Sequence, residues 1–278
     1  MAPAAALKPP ASALALVPGL EHAGKPLRLE RLSGGRVNET WRVDTRQGRF
    51  TLRIDGPAGQ RPGVDRGLER SLHAAAAAAG IAPRMVSAEP GLQVLVCEYL
   101  AGRTWSDADF QEPGSLARLG ERLAALHRLP AAAPAGYRFD PQSLVEQYLL
   151  QASNAGVPLT GADSSLLQLR RSLAALQAAA VPHAIVHGDL PGGNVLENSQ
   201  LWLLDWEYAQ VADPIYDAAC ILAQVPLAPR LQQQLLAAAG LGARADVERL
   251  ADAVYVYRAL TWAWHLARAE ACVPPRIG

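Results

Sequence analysis

Lysine is almost absent from this chain of 278 residues, because Lys8 and Lys25 are the only two and every other basic residue is arginine. The formal net charge is zero, so the chain lacks the basic surplus that nucleic-acid-binding domains carry. No hydrophobic run approaches the roughly 18 residues that a membrane-spanning helix needs. We therefore expect neither a nucleic acid nor a membrane as a partner.

Cysteine is also scarce, and Cys97, Cys220 and Cys272 lie far apart. Their spacing fits neither a zinc site nor a disulfide framework, which favours a reducing, cytoplasmic setting. Residues 1–20 are rich in alanine and proline and lack a basic segment followed by an apolar one. We expect a loose tail there, with a short helix near residues 12–17, rather than a signal peptide.

The most informative segment is His187-Gly-Asp189-Leu-Pro-Gly-Gly-Asn194, which is followed by Asp205 at the end of a second apolar run. Apolar residues at 184–186 and 201–204 predict a short strand before and after this loop. The alternative is an ordinary polar loop with an acidic residue that caps a strand. The order and spacing of the three polar residues between two strands argue against that alternative.

The three polar side chains suit phosphoryl transfer. That reaction needs a carboxylate that orients the attacking hydroxyl and accepts its proton, and Asp189 can do so. It also needs oxygen ligands for Mg²⁺, which binds few protein groups and completes its coordination with water and phosphate. Asn194 and Asp205 are the candidate ligands.

The spacing H-x-D-L-x-x-x-N is similar to the catalytic loop of protein kinases, with Gly188 in place of arginine. Together with Asp205-Trp-Glu-Tyr-Ala209 and Asp213-Pro-Ile-Tyr-Asp217, it resembles the aminoglycoside phosphotransferase and choline kinase superfamily, in particular its choline kinase and thiamine kinase branch. The resemblance extends over residues 32–264. It implies an α+β, bilobal, protein-kinase-like fold, with a small antiparallel sheet plus a helix in the N-terminal lobe and a larger, mainly helical C-terminal lobe.

The resemblance also implies boundaries along the chain. We expect a tail and short helix at 1–20, a nucleotide-binding lobe at 21–97, a hinge at 98–102, and a catalytic and substrate-binding lobe at 103–278.

A glycine-containing loop between the first two predicted strands is the candidate phosphate-covering loop. Gly34 and Gly35 can bring backbone N–H groups close to phosphates, and Asn38 closes the loop. The alternative is a plain hairpin turn, which uses the same residue types.

Other nucleotide contacts are implied by the resemblance. Arg53, on the third predicted strand, corresponds to the cation that meets the phosphates, and Glu69 on the next helix is its expected partner. Both could instead be surface charges. Glu98 and Leu100 lie where a hinge would offer backbone groups to adenine. The donor could be ATP or GTP from the sequence alone, and we expect ATP with Mg²⁺.

Structural roles are expected for several residues around the loop. His187 should stabilise it by hydrogen bonding, and Asp217 should tie it to the helical lobe, as the matching residue does in the superfamily. His127 is expected to be a buried, hydrogen-bonded histidine. Glu207 could ligate the metal, tune it, or face a cationic substrate.

The substrate is expected to be a small alcohol, and Trp262 and Trp264 on the last long helix suggest that it is cationic. Aromatic rings bind quaternary cations, and both choline and thiamine combine a fixed positive charge with a primary hydroxyl. Only one of the two rings should face the site, since they lie on different faces of the helix. An aminoglycoside or amino-sugar phosphotransferase, and a kinase-like binding protein without turnover, remain the alternatives. The oligomeric state is left open.

Overall fold

The computed structural model describes residues 8–21, 24–32, 38–56, 62–89, 91, 93–131, 133–134, 137–190, 192–270 and 272–275. The chain divides into two compact units. We call residues 1–61 with 82–101 the sheet unit, and residues 62–81 with 102–278 the helical unit. The predicted nucleotide-binding lobe had included residues 62–81, but their contacts group them with the helical unit.

One antiparallel sheet forms the sheet unit. Its strands are β1 (Arg28–Arg31), β2 (Glu39–Thr45), β3 (Gly48–Ile54), β4 (Met85–Glu89) and β5 (Val94–Glu98), in the spatial order β1-β2-β3-β5-β4. Trp41 pairs with Leu52, and Leu52 with Val96, so that these buried side chains share one face of the sheet. That face supplies the core of the unit.

The N-terminal segment covers this core. Helix α1 (Ala11–Leu14) begins it, and Ala13, Val17 and Leu20 are at most 2% exposed against the sheet. The Thr45 hydroxyl donates a hydrogen bond to the Pro18 carbonyl oxygen at 2.9 Å. Helix α1 thus overlaps the short helix expected near residues 12–17, and the apolar side chains of this segment pack on the sheet rather than belonging to a loose tail.

The helical unit contains the remaining helices, and local sequence explains their ends. Before α2 (Arg66–Ala78), the Asp65 carboxylate accepts hydrogen bonds from the N–H groups of Gly67 and Leu68, and a run of alanines then propagates the helix. Gly80, at φ +69°, follows its end. The others are α3 (Pro113–His127), α4 (Pro141–Asn154), α5 (Ala162–Ala178), α6 (Ile215–Gln224), α7 (Pro229–Ala238) and α8 (Arg244–Ala267).

Two small sheets frame the loops of the helical unit. Strands β6 (Arg103–Thr104), β8 (Val195–Glu197) and β9 (Leu201–Leu203) form one, while β7 (Ala184–Val186) pairs with β10 (Gln210–Ala212) in the other. The His187–Asn194 segment thus leaves one sheet and enters the other. None of the described helices has the length and apolar character required to cross a membrane.

Candidate active site

His187 opens the catalytic loop from a completely buried position at the end of β7. Its Nε2 lies 2.9 Å from the Leu204 carbonyl oxygen, and its Nδ1 lies 3.3 Å from the backbone nitrogen of Asp189. Because an amide can only donate, Nδ1 must be the acceptor and Nε2 must carry the proton. Burial lowers the pKa of His187 to about 4, so the ring is neutral near pH 7.

Asp217, on α6, binds the first two residues of the loop. It is fully buried, and its carboxylate accepts the backbone N–H groups of His187 at 3.2 Å and Gly188 at 2.9 Å. His127 Nε2, at the end of α3, lies 2.9 Å from the same carboxylate. Asp217 therefore joins the loop to two helices, and His127 is hydrogen-bonded and nearly buried.

Gly188 occupies a position that no other residue fits easily. Its φ is +73°, in the left-handed region, and an added Cβ would lie 2.6 Å from the Tyr208 carbonyl oxygen. This crowding explains why glycine stands where the protein-kinase motif has arginine. The Gly188 carbonyl oxygen accepts a hydrogen bond from the Tyr257 hydroxyl of α8 at 2.7 Å.

Asp189 and Asn194 are in direct contact. The Asn194 amide nitrogen donates to the Asp189 backbone oxygen at 3.0 Å and to its carboxylate at 3.1 Å. The loop turns tightly between them at Gly192, where a Cβ would lie 2.6 Å from the Trp105 carbonyl oxygen. With its nitrogen on Asp189, Asn194 presents its amide oxygen as a possible metal ligand.

Asp205 is brought to the same region by backbone pairing, because the Leu204 N–H donates to the Asn194 carbonyl oxygen at 2.8 Å. Asp205 has φ +59°, a left-handed conformation that aspartate tolerates better than most residues. Such conformations concentrate at functional sites, where the surrounding structure holds them.

Trp206 supplies that surrounding structure. It is 1% exposed, and its indole N–H donates to the Leu203 carbonyl oxygen at 3.0 Å. Its ring lies 4.8 Å from the His187 ring and 5.9 Å from the His73 ring, centre to centre. Both histidines therefore pack on the residue that follows Asp205.

The donor set fits Mg²⁺. One carboxylate, from Asp205, and one amide oxygen, from Asn194, are the hard oxygen ligands that this ion takes while it keeps water and phosphate in its shell. Among the described residues, no group of three or more His, Cys, Asp and Glu side chains forms a metal cluster. A site that depends on the nucleotide phosphates for its remaining ligands needs no such cluster.

Glu207 contacts a cation that the sequence interpretation had missed. The Nη1 and Nη2 atoms of Arg66 both lie 3.4 Å from Glu207 Oε2, and Nη1 lies 2.6 Å from Glu69 Oε2. Glu69 is 1% exposed and Glu207 is 5% exposed. Arg66 therefore links the first turn of α2 to the segment that contains Asp205.

The residues expected to bind phosphates lie in the sheet unit or outside the described residues. Arg53, on β3, is 9% exposed, and its Nε lies 3.1 Å from Asp55 Oδ1. Asn38 is buried directly before β2, whereas Gly34 and Gly35 fall outside the described residues. A contact between Arg53 and Glu69 would join the two units and stays a prediction.

The expected hinge follows β5. The Glu98 carboxylate pairs with Arg84 at 2.5 Å, and the backbone N–H of Glu98 donates to the Arg84 carbonyl oxygen at 2.9 Å. The Tyr99 N–H donates to the Arg49 carbonyl oxygen at 3.0 Å. The contact of the backbone near Leu100 with adenine stays a prediction.

The two tryptophans of α8 differ in environment. Trp262 is 4% exposed and belongs to the core, whereas Trp264 is half-buried. The Arg268 guanidinium carbon lies 4.7 Å from the centre of the Trp264 ring, and the His265 ring meets that ring edge-on at 5.0 Å. The Trp264 ring is therefore already in a cation–π contact with an arginine of the same chain.

The sequence profile of the phosphotransferase enzyme family matches residues 28–252, which include the catalytic loop and Asp205. The chain belongs to this family.

Solved structures similar to this phosphotransferase include choline kinases. A choline/ethanolamine kinase family protein from Mesorhizobium loti is 30% identical, with a TM-score of 0.76, over 93% of this chain and 85% of that one. Choline kinase LicA from Streptococcus pneumoniae is 17% identical, with a TM-score of 0.76, over 90% and 88%. A thermostable mutant of an aminoglycoside phosphotransferase is 19% identical, with a TM-score of 0.58, over 90% and 96%. The search of curated proteins found no significant match.

These likenesses confirm the predicted superfamily and the α+β, protein-kinase-like fold. They also confirm that the chain is a small-molecule phosphotransferase. LicA has been solved in complex with AMP, and the aminoglycoside phosphotransferase with ADP and hygromycin B.

Several residues around the loop were not predicted as functional. Tyr257 holds the Gly188 carbonyl, Cys220 Sγ accepts the Leu190 N–H at 3.1 Å, and Arg66 meets Glu207. The one available signal was helical phase, because Tyr257 lies seven residues before Trp264 and so on the same face of α8.

Proposed function

We propose that this phosphotransferase moves the γ-phosphoryl group of ATP, with Mg²⁺, onto the hydroxyl of a small cationic metabolite of the choline or thiamine type. The contact of Asn194 with Asp189 supports the proposal most directly, because it unites a proton acceptor and a metal-binding amide in one loop. The 30% identity to the choline/ethanolamine kinase family protein supports the choice of branch. A cytoplasmic location goes with ATP as the donor.

Asp189 orients the substrate hydroxyl and takes its proton. As the new bond forms between the hydroxyl oxygen and the γ-phosphorus, the bond from that phosphorus to the bridging oxygen of ADP breaks, and ADP leaves with the electron pair. The transition state is loose, so the position of Asp189 matters more than its basicity. The hydrogen bond from Asn194 fixes that position.

Asn194 and Asp205 would hold Mg²⁺ through an amide oxygen and a carboxylate. When bound, the ion neutralises charge on the outer phosphate oxygens. The backbone of Asp205 is fixed on one side by the hydrogen bond from the Leu204 N–H to the Asn194 carbonyl oxygen, and on the other by the buried Trp206. This keeps the two ligands in register.

Nucleotide contacts come from residues of the sheet unit in this proposal. Arg53 meets the phosphates through its planar fork. The backbone around Glu98 and Leu100 receives adenine, and the loop of Gly34, Gly35 and Asn38 covers the phosphates.

Trp264 is the ring that we assign to the substrate. Tyr257 donates to the catalytic loop, and a residue seven positions later lies on the same helix face, about 10 Å further along the axis. Trp262 lies in the core instead. A cation could not reach the Glu207 carboxylate without competing with Arg66, so we expect Glu207 to position the metal segment.

A substrate panel tests the proposal. Purified protein would be given Mg-ATP with choline, ethanolamine, thiamine, an amino sugar or an aminoglycoside, while ADP release and the phosphorylated product are measured. We expect the highest kcat/KM for choline or thiamine. Preference for the aminoglycoside would retain the chemistry and overturn the substrate class, and ATP binding without any product would support the binding-protein alternative.

A neutral isostere of the best substrate, with carbon in place of the charged nitrogen, separates recognition of charge from recognition of shape. Trp264→Ala should raise KM for the cation about 2- to 30-fold, the equivalent of roughly 0.5–2 kcal/mol, and leave KM for the isostere unchanged. Trp202→Ala, which removes another half-buried indole from the β9 strand, is the matched control. Equal effects on both substrates would remove Trp264 from the cation site.

A further inference from the structure

The peptide that joins Gly188 to Asp189 is held at both of its polar ends. Its carbonyl oxygen accepts the Tyr257 hydroxyl at 2.7 Å, and its N–H donates to His187 Nδ1 at 3.3 Å. Because a peptide unit is planar, fixing both ends fixes the orientation of the whole unit. That orientation sets the direction of the N–Cα bond of Asp189, from which its side chain projects.

This peptide is also the part of the loop that most needs an external support. Gly188 has no Cβ to restrict its backbone, and it lies at φ +73°. Helix α6 fixes the neighbouring amides, since Asp217 accepts the Gly188 N–H and Cys220 the Leu190 N–H. The Gly188 carbonyl oxygen, which lies between those two amides, is fixed by the Tyr257 hydroxyl of α8.

The Tyr257 hydroxyl stays a donor throughout the working pH range. Burial raises the pKa of Tyr257 well above its usual value, and Cys220 and Asp189 add to the effect. Burial likewise raises the pKa of the Cys220 thiol, so that no thiolate competes for the hydroxyl proton. The support is therefore permanent rather than switched by pH.

We propose that Tyr257 is a positioning residue: its hydroxyl holds the Gly188–Asp189 peptide so that the Asp189 carboxylate meets the substrate hydroxyl. The proposal rests on the proposed kinase function, in which Asp189 accepts the proton. Tyr257 itself does not need to touch the substrate.

Tyr257→Phe removes only the hydroxyl, and Tyr255→Phe is its matched control. Tyr255 is a buried tyrosine of the same helix, and its hydroxyl donates to the Ser165 carbonyl oxygen at 3.3 Å, on α5. We expect Tyr257→Phe to lower kcat about 10- to 100-fold, because small misplacements of a catalytic group have effects of that size. KM for ATP should change by less than about twofold, and Tyr255→Phe should leave kcat unchanged.

A double-mutant cycle with Asp189→Asn distinguishes positioning from general damage. If Tyr257 acts through Asp189, its loss should have almost no further effect on kcat in the Asp189→Asn background. An equal fold-loss in both backgrounds would overturn the proposal, and so would equal kcat values for the Tyr257→Phe and Tyr255→Phe proteins.

Hydrogen–deuterium exchange of the segment 187–190 gives a measurement that needs no turnover. Exchange should be faster in Tyr257→Phe and unchanged in Tyr255→Phe. Unchanged exchange in both variants would reject the support by Tyr257, even if no alcohol proved to be a substrate. A wild type that phosphorylates nothing, together with faster exchange in Tyr257→Phe, would reject the proposed function alone.

Discussion

The catalytic loop and the end of α8 are held in opposite ways. Residues 187–190 are held by hydrogen bonds to side chains of α6 and α8, including the buried Asp217, which accepts, and the partly buried Tyr257, which donates. Around Trp264, Arg268 and His265 pair instead with Glu270, at 2.8 and 2.6 Å, and all three of these side chains are at least a quarter exposed.

This difference distinguishes the residues expected to carry out phosphoryl transfer from those expected to recognise the substrate. Buried hydrogen bonds to a charged group are worth about 1.5–3 kcal/mol each, whereas exposed ion pairs are usually worth about 1 kcal/mol or less. Rearranging the loop is therefore costly, whereas the surface at the end of α8 can rearrange at low cost. We expect substitutions in the loop to affect kcat and substitutions near Trp264 to affect KM.

Removal of a metal ligand should have the largest effect. Asp205→Ala should abolish Mg²⁺-dependent turnover, because no positioning effect replaces charge neutralisation at the phosphates. Asn194→Ala should leave activity that requires more Mg²⁺. The measurement is kcat against Mg²⁺ concentration for both variants.

Excess Mg²⁺ is the internal control for this pair. Full recovery of Asp205→Ala at high metal would point to Glu207 as the true ligand, and it would weaken the claim that the loop is a preformed site.

Loss of the proton acceptor comes next in size. Asp189→Asn should lower kcat by about 10²–10⁴-fold and leave ATP binding nearly intact, because a positioned general base contributes that much. Asp163→Asn, on an exposed aspartate at the start of α5, is the control. Retention of more than about a tenth of the activity would contradict the assigned role, and the rigidity of the loop would then need another explanation.

The catalytic residues could be predicted because phosphoryl transfer dictates their types and their spacing within one short segment. Their supports could not. Tyr257 meets Gly188 across 69 positions of the chain, and Arg66 meets Glu207 across 141, so neither contact has a local signature. The partner of Glu207 follows only from where the fold places α2.

The same distinction applies to the fold. The two short apolar runs predicted as strands at 184–186 and 201–204 form β7 (Ala184–Val186) and β9 (Leu201–Leu203). Asp217 was expected only to tie the loop to the helical lobe, and the structure places it on α6, where eight of the ten residues are buried. In the N-terminal segment, α1 overlaps the short helix expected near residues 12–17, but Ala13, Val17 and Leu20 pack on the sheet where composition had suggested a loose tail.

Acid should destabilise the catalytic loop through His187. Its pKa is about 4 in the folded protein and near 6.5 when unfolded, so the unfolded chain binds the extra proton between those values. The corresponding stability, about 3 kcal/mol, is present above pH 6.5 and is lost as the pH falls toward 4. Chemical denaturation at several pH values should show a steeper loss for the wild type than for His187→Gln, which cannot titrate. Parallel pH profiles would place the acid sensitivity elsewhere.

We expect the smallest effect from a substitution at the end of α8. The Arg268 guanidinium covers one face of the Trp264 ring, so a cationic substrate that uses this face must displace it. Exposed cation–π contacts are worth about 0.5–1 kcal/mol, and Arg268→Ala should therefore lower KM for the cation about two- to fivefold, with kcat unchanged.

Arg244→Ala, which removes an exposed arginine paired with Glu248 at the opposite end of the same helix, is the control. The neutral isostere should not respond to either variant. A higher KM in Arg268→Ala would mean that Arg268 holds the ring in place for the substrate rather than competing with it, and recognition at the end of α8 would then be as preorganised as the loop.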